Sequence, residues 1–208
     1  PLVVEASKKQ HVVVSAIIKL IIMAIILRDY QKAASDKAVA FFKDKNKKSN
    51  GVMVLPTGAG KSIVIADIAH RLNDYVLIFC PSREIVEQNF KKLCSYGILD
   101  CSIYSASFNS KEISRITFAT IGSVKNHPEL FTHFKNIIVD ECHLVNPKEG
   151  MYKDFFDAVK CKVLGLTATP YRLSSSRDFG SMLKFITRTK PHVFSEVIYH
   201  VQVSTLLD

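Results

Sequence analysis

The stretch Val54–Ile65, V-L-P-T-G-A-G-K-S-I-V-I, decides how this chain folds. It closes the apolar run G-V-M-V-L and opens a segment with helical apolar spacing, so it reads as strand, loop and helix. A phosphate-binding loop needs backbone free to turn its N–H groups toward an anion, with a helix N-terminus behind it. Gly58 and Gly60 supply that freedom, and Thr57 and Ala59 complete the loop. Lys61 offers a point charge for β- and γ-phosphates, and the Ser62 hydroxyl can ligate Mg2+. The strict pattern G-x-x-x-x-G-K-[ST] fails at Leu55, where it asks for glycine. That departure leaves the chemistry intact if Leu55 is the last residue of the strand.

Working outward, the alternation repeats. Y-V-L-I-F-C, C-S-I-Y-S-A, R-I-T-F-A-T, N-I-I-V-D and K-V-L-G-L-T are apolar strands. Between them lie helices or irregular segments. R-D-Y-Q-K-A-A-S-D-K-A-V-A-F-F-K-D has helical spacing at Ala34, Ala38, Phe41 and Phe42, and S-R-E-I-V-E-Q-N-F-K-K-L-C-S-Y-G reads as a helix ending at Gly97. K-D-K-N-K-K-S-N-G is a basic, turn-rich loop, and the tail F-S-E-V-I-Y-H-V-Q-V-S-T-L-L-D reads as helical. Strands apolar on both faces, alternating with helices, predict an α/β fold with a mostly parallel sheet covered on both sides. Ligands bind such sheets beyond the carboxyl ends of the strands. P-T-G-A-G-K-S, P-S-R-E, A-T-I-G-S, D-E-C-H and T-A-T-P each follow a strand directly, so all five are expected on one edge.

The chain has 208 residues, 48% of them hydrophobic, which suits one core and one domain. Its net charge of +9 fits a polyanionic partner such as nucleic acid, nucleotide or an anionic membrane, and equally a solvated basic surface. Five cysteines without a C-x-x-C pair argue against a zinc site or a disulfide framework, and fit a reducing, cytoplasmic compartment. The N-terminal run H-V-V-V-S-A-I-I-K-L-I-I-M-A-I-I-L is interrupted by Lys19, and its apolar runs are too short to span a bilayer. No membrane association is expected. The Val and Ile content of that run suits a strand. Residues 1–22 are left unplaced, and the recognisable domain is expected over 23–208, with Met23 as a natural start.

An ATP site needs a carboxylate at the end of a second strand, and N-I-I-V-D-E-C-H supplies two. Asp140 is expected to hold Mg2+ and Glu141 to polarise the attacking water, as at the strand ends of P-loop ATPases. As isolated residues, either would read as a helix cap or a surface charge.

The motifs L-R-D-Y-Q, P-T-G-A-G-K-S, P-S-R-E-I-V-E-Q, A-T-I-G-S, D-E-C-H and L-T-A-T-P stand in the order found in superfamily 2 helicases. From Ile25 onward the chain resembles the first RecA-like domain of these P-loop NTPases. The run L-G-L-T-A-T-P-Y-R-L is similar to RadD-like bacterial proteins. The resemblance implies ATP and Mg2+ as cofactors and nucleic acid as partner, with DNA favoured over RNA. It implies adenine recognition by Gln31, with Arg28 and Tyr30 nearby. It implies nucleic-acid backbone contacts from Ser82, Arg83 and Glu84, and from Thr120, Gly122 and Ser123. His143, Thr167 and Thr169 would couple ATP state to nucleic-acid grip, and Arg172 is an additional candidate for phosphate contact. Cys142 makes the box D-E-C-H, outside the strict DEAD set. The resemblance also implies a second RecA-like domain carrying arginine fingers, which this chain does not include. Two alternatives stay open: the motor subunit of a restriction system, and a catalytically silent nucleic-acid-binding module. A GTPase is disfavoured because no N-K-x-D run is present.

Overall fold

The computed structural model describes residues 25–176, 180–188 and 190–206. The apolar strand-like run before Met23 lies outside the described residues.

The strands are β1 (Gly51–Val54), β2 (Val76–Phe79), β3 (Cys101–Ser105), β4 (Ser110–Lys111), β5 (Ile116–Ala119), β6 (Asn136–Asp140), β7 (Lys162–Thr167), β8 (Tyr171–Ser176), β9 (Gly180–Phe185) and β10 (Glu196–His200). Eight of them form one sheet in the order β10-β1-β7-β6-β2-β5-β3-β4. Every pairing in it is parallel except β3 with β4. The carboxyl ends of β1, β2, β5, β6 and β7 therefore share one edge, as the α/β reading expects.

Period-two alternation sorts the strand side chains onto two faces. Met53, Val76, Ile78, Ile116, Phe118, Ile138, Leu164 and Leu166 join one core layer. That layer is covered by helices α1 (Asp29–Lys43), α2 (Lys61–Leu72) and α3 (Arg83–Ser95). Val52, Leu77, Phe79, Ile137, Val139 and Val163 face the other layer. There the short α4 (Ile121–Val124) and α5 (Met151–Val159) pack, with Phe131, Phe134 and Phe155 fully enclosed. Aromatic rings of this second layer meet edge to face or tilted, Phe79 with Phe155 at 5.3 Å and Phe131 with Phe134 at 5.8 Å between centroids. Among the described residues no helix is long and apolar enough to cross a membrane.

The tail corrects one expectation. The segment read as helical contains strand β10, which pairs in parallel with β1 from Gly51 opposite Glu196 to Val54 opposite His200. Val197, Ile198 and Tyr199 are β-branched or aromatic and favour a pleated surface. The deciding factor is the free edge of β1, a partner remote in sequence. The β8–β9 hairpin, a separate antiparallel pair, was also not foreseen.

A close approach fixes Gly165, in the middle of β7. A Cβ there would lie 2.5 Å from Cys142 Sγ and 2.9 Å from the Phe194 ring. Cys142 and Phe194 are both buried, so neither side chain can swing into solvent. Gly165→Ala is expected to cost about 1–3 kcal/mol of stability. In a thermal melt that lowers the midpoint by roughly 2–12 °C for a chain of this size.

Candidate active site

The loop between β1 and α2 is built as its composition dictates. Gly58 and Gly60 take positive φ of 84° and 77°, conformations that side chains with a Cβ rarely adopt. Gly60 is needed twice over, since a Cβ on it would stand 2.6 Å from Gln31 Nε2. Ala59 is buried, while Thr57 and Gly58 are exposed. Leu55 donates its N–H to the Thr167 carbonyl at 3.0 Å, so it extends the strand pairing and stays out of the phosphate cradle.

Gln31, at the start of α1, is 7% exposed. Its Nε2 donates to the Ala59 carbonyl at 2.9 Å, and its Oε1 accepts from the Arg28 backbone N–H at 2.9 Å. One side chain therefore caps α1 and props the loop. Helix α1 is in turn tied to α2 by a polar cluster that runs from buried Ser35 and Asp67 to exposed Arg71 and Asp36. There Ser35 bonds Asp67, and Arg71 reaches Asp67 at 3.3 Å and Asp36 at 2.6 Å. Arg28 and Tyr30 flank Gln31, with Arg28 exposed.

Lys61 opens α2 and forms an ion pair with Glu141 Oε1 at 2.9 Å. Glu141 sits in the left-handed region, φ 51° and ψ 49°, immediately after β6. A non-glycine residue held there marks a constrained position, and the turn brings its carboxylate back over the loop lysine. Asp140 is buried, and its Oδ1 accepts the Glu141 N–H at 3.0 Å. Burial and the neighbouring Glu141 carboxylate push the Asp140 carboxyl above its usual range, and Lys61 opposes this. Ser62 is half-buried and lines an open groove of about 470 Å3 with Gln88, Lys91, Lys92 and Ser95.

His143 ties this centre to the end of β7. Its Nδ1 lies 3.3 Å from Glu141 Oε2, 2.8 Å from Thr167 Oγ1 and 3.4 Å from Thr169 Oγ1. The Thr169 N–H donates to Thr167 Oγ1 at 3.0 Å. Gln31, the loop, Lys61, Glu141, His143, Thr167 and Thr169 thus form a nearly continuous series of contacts. Arg172 meets the series through the main chain of His143: its Nε donates to the His143 carbonyl at 2.9 Å, and its side chain helps line a small hollow with Cys142, Val145 and Phe194. Its guanidinium is engaged there.

The remaining motif residues sit farther along the same edge. Ser82 caps α3, its Oγ accepting the Ile85 N–H at 3.4 Å, and Arg83 and Glu84 are exposed in the first turn. Thr120 Oγ1 and Ser123 Oγ are 3.0 Å apart across the start of α4, and Gly122 leaves open space where a side chain would project. Because β2 and β5 are adjacent, these two groups are neighbours.

Residues 24–172 match the family described as "Type III restriction enzyme, res subunit". The chain belongs to this family, and its fold is a RecA-like domain of the superfamily 2 helicase type. Among curated proteins it is 34% identical over 172 residues to the "DNA 3'-5' translocase XPB2" of Sulfurisphaera tokodaii, covering 81% of this chain and 36% of that protein. It is 30% identical over 157 residues to the "Putative DNA 3'-5' helicase Rad25" of Haloarcula marismortui, covering 73% of this chain and 24% of the other. The chain therefore spans well under half the length of these relatives. The UvsW helicase of bacteriophage T4 shares the fold at a TM-score of 0.61 and 19% identity, over 86% of this chain and 63% of that one.

Proposed function

We propose that this chain is an ATP-hydrolysing motor domain that grips single-stranded nucleic acid, DNA in preference to RNA, along the carboxyl edge of its sheet. The observation that carries the reading is the contact series from Gln31 through Lys61 and Glu141 to Thr167 and Thr169. In it, groups suited to sense nucleotide and groups suited to relay its state share hydrogen bonds and an ion pair.

In this reading the reaction transfers the γ-phosphoryl group of ATP to water. Lys61 holds the β- and γ-phosphates, and the N–H groups of Gly58 to Ser62 cradle them. Glu141 orients the water and takes its proton. Ser62 and Asp140 would hold Mg2+, for which hard hydroxyl and carboxylate oxygens are a fitting donor set. A cation there would also offset the cost of burying the Asp140 carboxylate. When bound, Mg2+ neutralises charge on the phosphate oxygens. His143 reports the state of Glu141 to Thr167 and Thr169. A second RecA-like domain is the proposed source of the arginine that completes the site. The description of the matched family supports a second reading, the motor subunit of a restriction system, which co-purification with a nuclease or methylase would identify.

Gln31 gives the direct test. Its amide oxygen has a second lone pair, and its nitrogen a second hydrogen, beyond those bound to Arg28 and Ala59. Those remaining sites can pair with the N6 and N7 edge of adenine. ATP and ADP are therefore expected to bind at least tenfold more tightly than GTP, about the discrimination of one bidentate base contact. Gln31→Ala should erase that preference while phosphate and Mg2+ contacts persist. Nucleotide titration of both proteins decides it, and equal affinities in the unsubstituted chain refute adenine recognition.

A further inference from the structure

The 3-10 turn Ala106–Phe108, directly after β3, carries an aromatic ring that no motif singles out. The Arg83 guanidinium carbon lies 4.5 Å from the centroid of the Phe108 ring. Phe108 is half-buried and packs against the core layer that α3 covers. Arg83 is exposed at the first position of α3, and among the described residues it forms no ion pair. The same turn reaches the other candidate contact group, because the Ala106 N–H donates to Ser123 Oγ at 3.4 Å. One three-residue turn thus touches both segments that the sequence assigns to nucleic-acid contact.

A guanidinium seated on a ring uses its face. Its N–H donors lie in the plane and stay free for a bidentate contact with phosphate. An exposed arginine without such a seat must give up rotamer freedom when it binds. We propose that Phe108 is a positioning residue that holds Arg83 with its donor edge turned toward the phosphate backbone of a single strand crossing the ends of β2, β5 and β3. This rests on the nucleic-acid reading of Arg83 given above.

The test is a set of anisotropy titrations of labelled oligo(dT) with the full 208-residue chain across a salt series. The variants are Arg83→Ala, Arg83→Lys, Phe108→Leu, Phe108→Tyr and the double variant Arg83→Ala/Phe108→Leu. Arg83→Ala is expected to weaken binding about tenfold and lower the salt slope by about 0.7, one phosphate contact on a single strand. Phe108→Leu, which keeps apolar bulk but removes the π-face, should weaken binding roughly three- to fivefold at an unchanged melting temperature. Phe108→Tyr should bind like the parent, and the double variant no more weakly than Arg83→Ala. Should Phe108→Leu fail to fold, Arg83→Lys decides: it keeps the charge without the planar face and is expected to bind more weakly. Parental affinity in Arg83→Ala removes the nucleic-acid reading, and this inference with it. If Arg83→Ala weakens binding, two outcomes overturn the positioning role alone. One is parental affinity in Phe108→Leu, or in Arg83→Lys where that variant decides. The other is a Phe108→Leu loss that persists undiminished in the Arg83→Ala background.

Discussion

Glu141→Gln is expected to lower ATP turnover by about two to four orders of magnitude, the usual contribution of a positioned general base, while nucleotide affinity holds or rises. The two effects part because the proposed mechanism gives Glu141 two roles. Before nucleotide arrives, its carboxylate is the ion-pair partner of Lys61 at 2.9 Å, with both side chains largely withdrawn from solvent. In the proposed mechanism ATP binding separates that pair so the ammonium can meet phosphate. A glutamine at 141 releases Lys61 in advance, and it cannot accept a proton from water. Lys61→Ala should behave oppositely, weakening nucleotide binding itself by tenfold or more, because the cation acts on ground-state phosphates. Phosphate release and fluorescent-nucleotide titration measured in parallel separate these outcomes. Turnover by Glu141→Gln within tenfold of the parent protein, or parental ATP affinity in Lys61→Ala, contradicts the assignment.

What the sequence conveys about this site is local, and what it conceals is tertiary. The strand–loop–helix around Gly58 and Gly60 could be read because its glycines, lysine and flanking apolar runs are contiguous. The parallel sheet could be read because strands such as β2 and β6 are apolar on both faces, which only a sheet covered on both sides explains. The contacts within the site could not. Gln31 meets Ala59 because α1 packs on α2, and Lys61 meets Glu141 and His143 meets Thr167 because β1, β7 and β6 lie side by side in the sheet. No periodicity encodes that order. β10 was misread for the same reason: its run Glu196–His200 becomes a strand by pairing with β1. Phe108 carried no signal at all, since its stacking partner belongs to a different helix.

The 208-residue chain alone is expected to bind ATP and hydrolyse it about 10^3- to 10^5-fold more slowly than when a second motor domain supplies an arginine to the γ-phosphate. As the phosphoryl group transfers, negative charge spreads over its oxygens, and a lone lysine neutralises only part of it. Among the described residues no arginine bonds to Glu141, to the His143 ring or to the Thr167 and Thr169 hydroxyls. Arg172, the arginine nearest in sequence to the T-A-T segment, is committed to the His143 carbonyl, and burial lowers its pKa. Moving it to the phosphate would break that bond and open the hollow it lines with Cys142 and Phe194. The proposed source of the remaining charge is therefore a partner domain, and the exposed loop at Thr57 and Gly58 offers a face onto which it can close. Steady-state phosphate release, with and without oligo(dT), tests this directly. Slow release that DNA barely changes, alongside micromolar or tighter nucleotide binding, is the expected result. Fast, DNA-stimulated turnover by this chain alone would mean that one of its own residues supplies the transition-state charge, and Arg172→Ala would be the first variant to locate it.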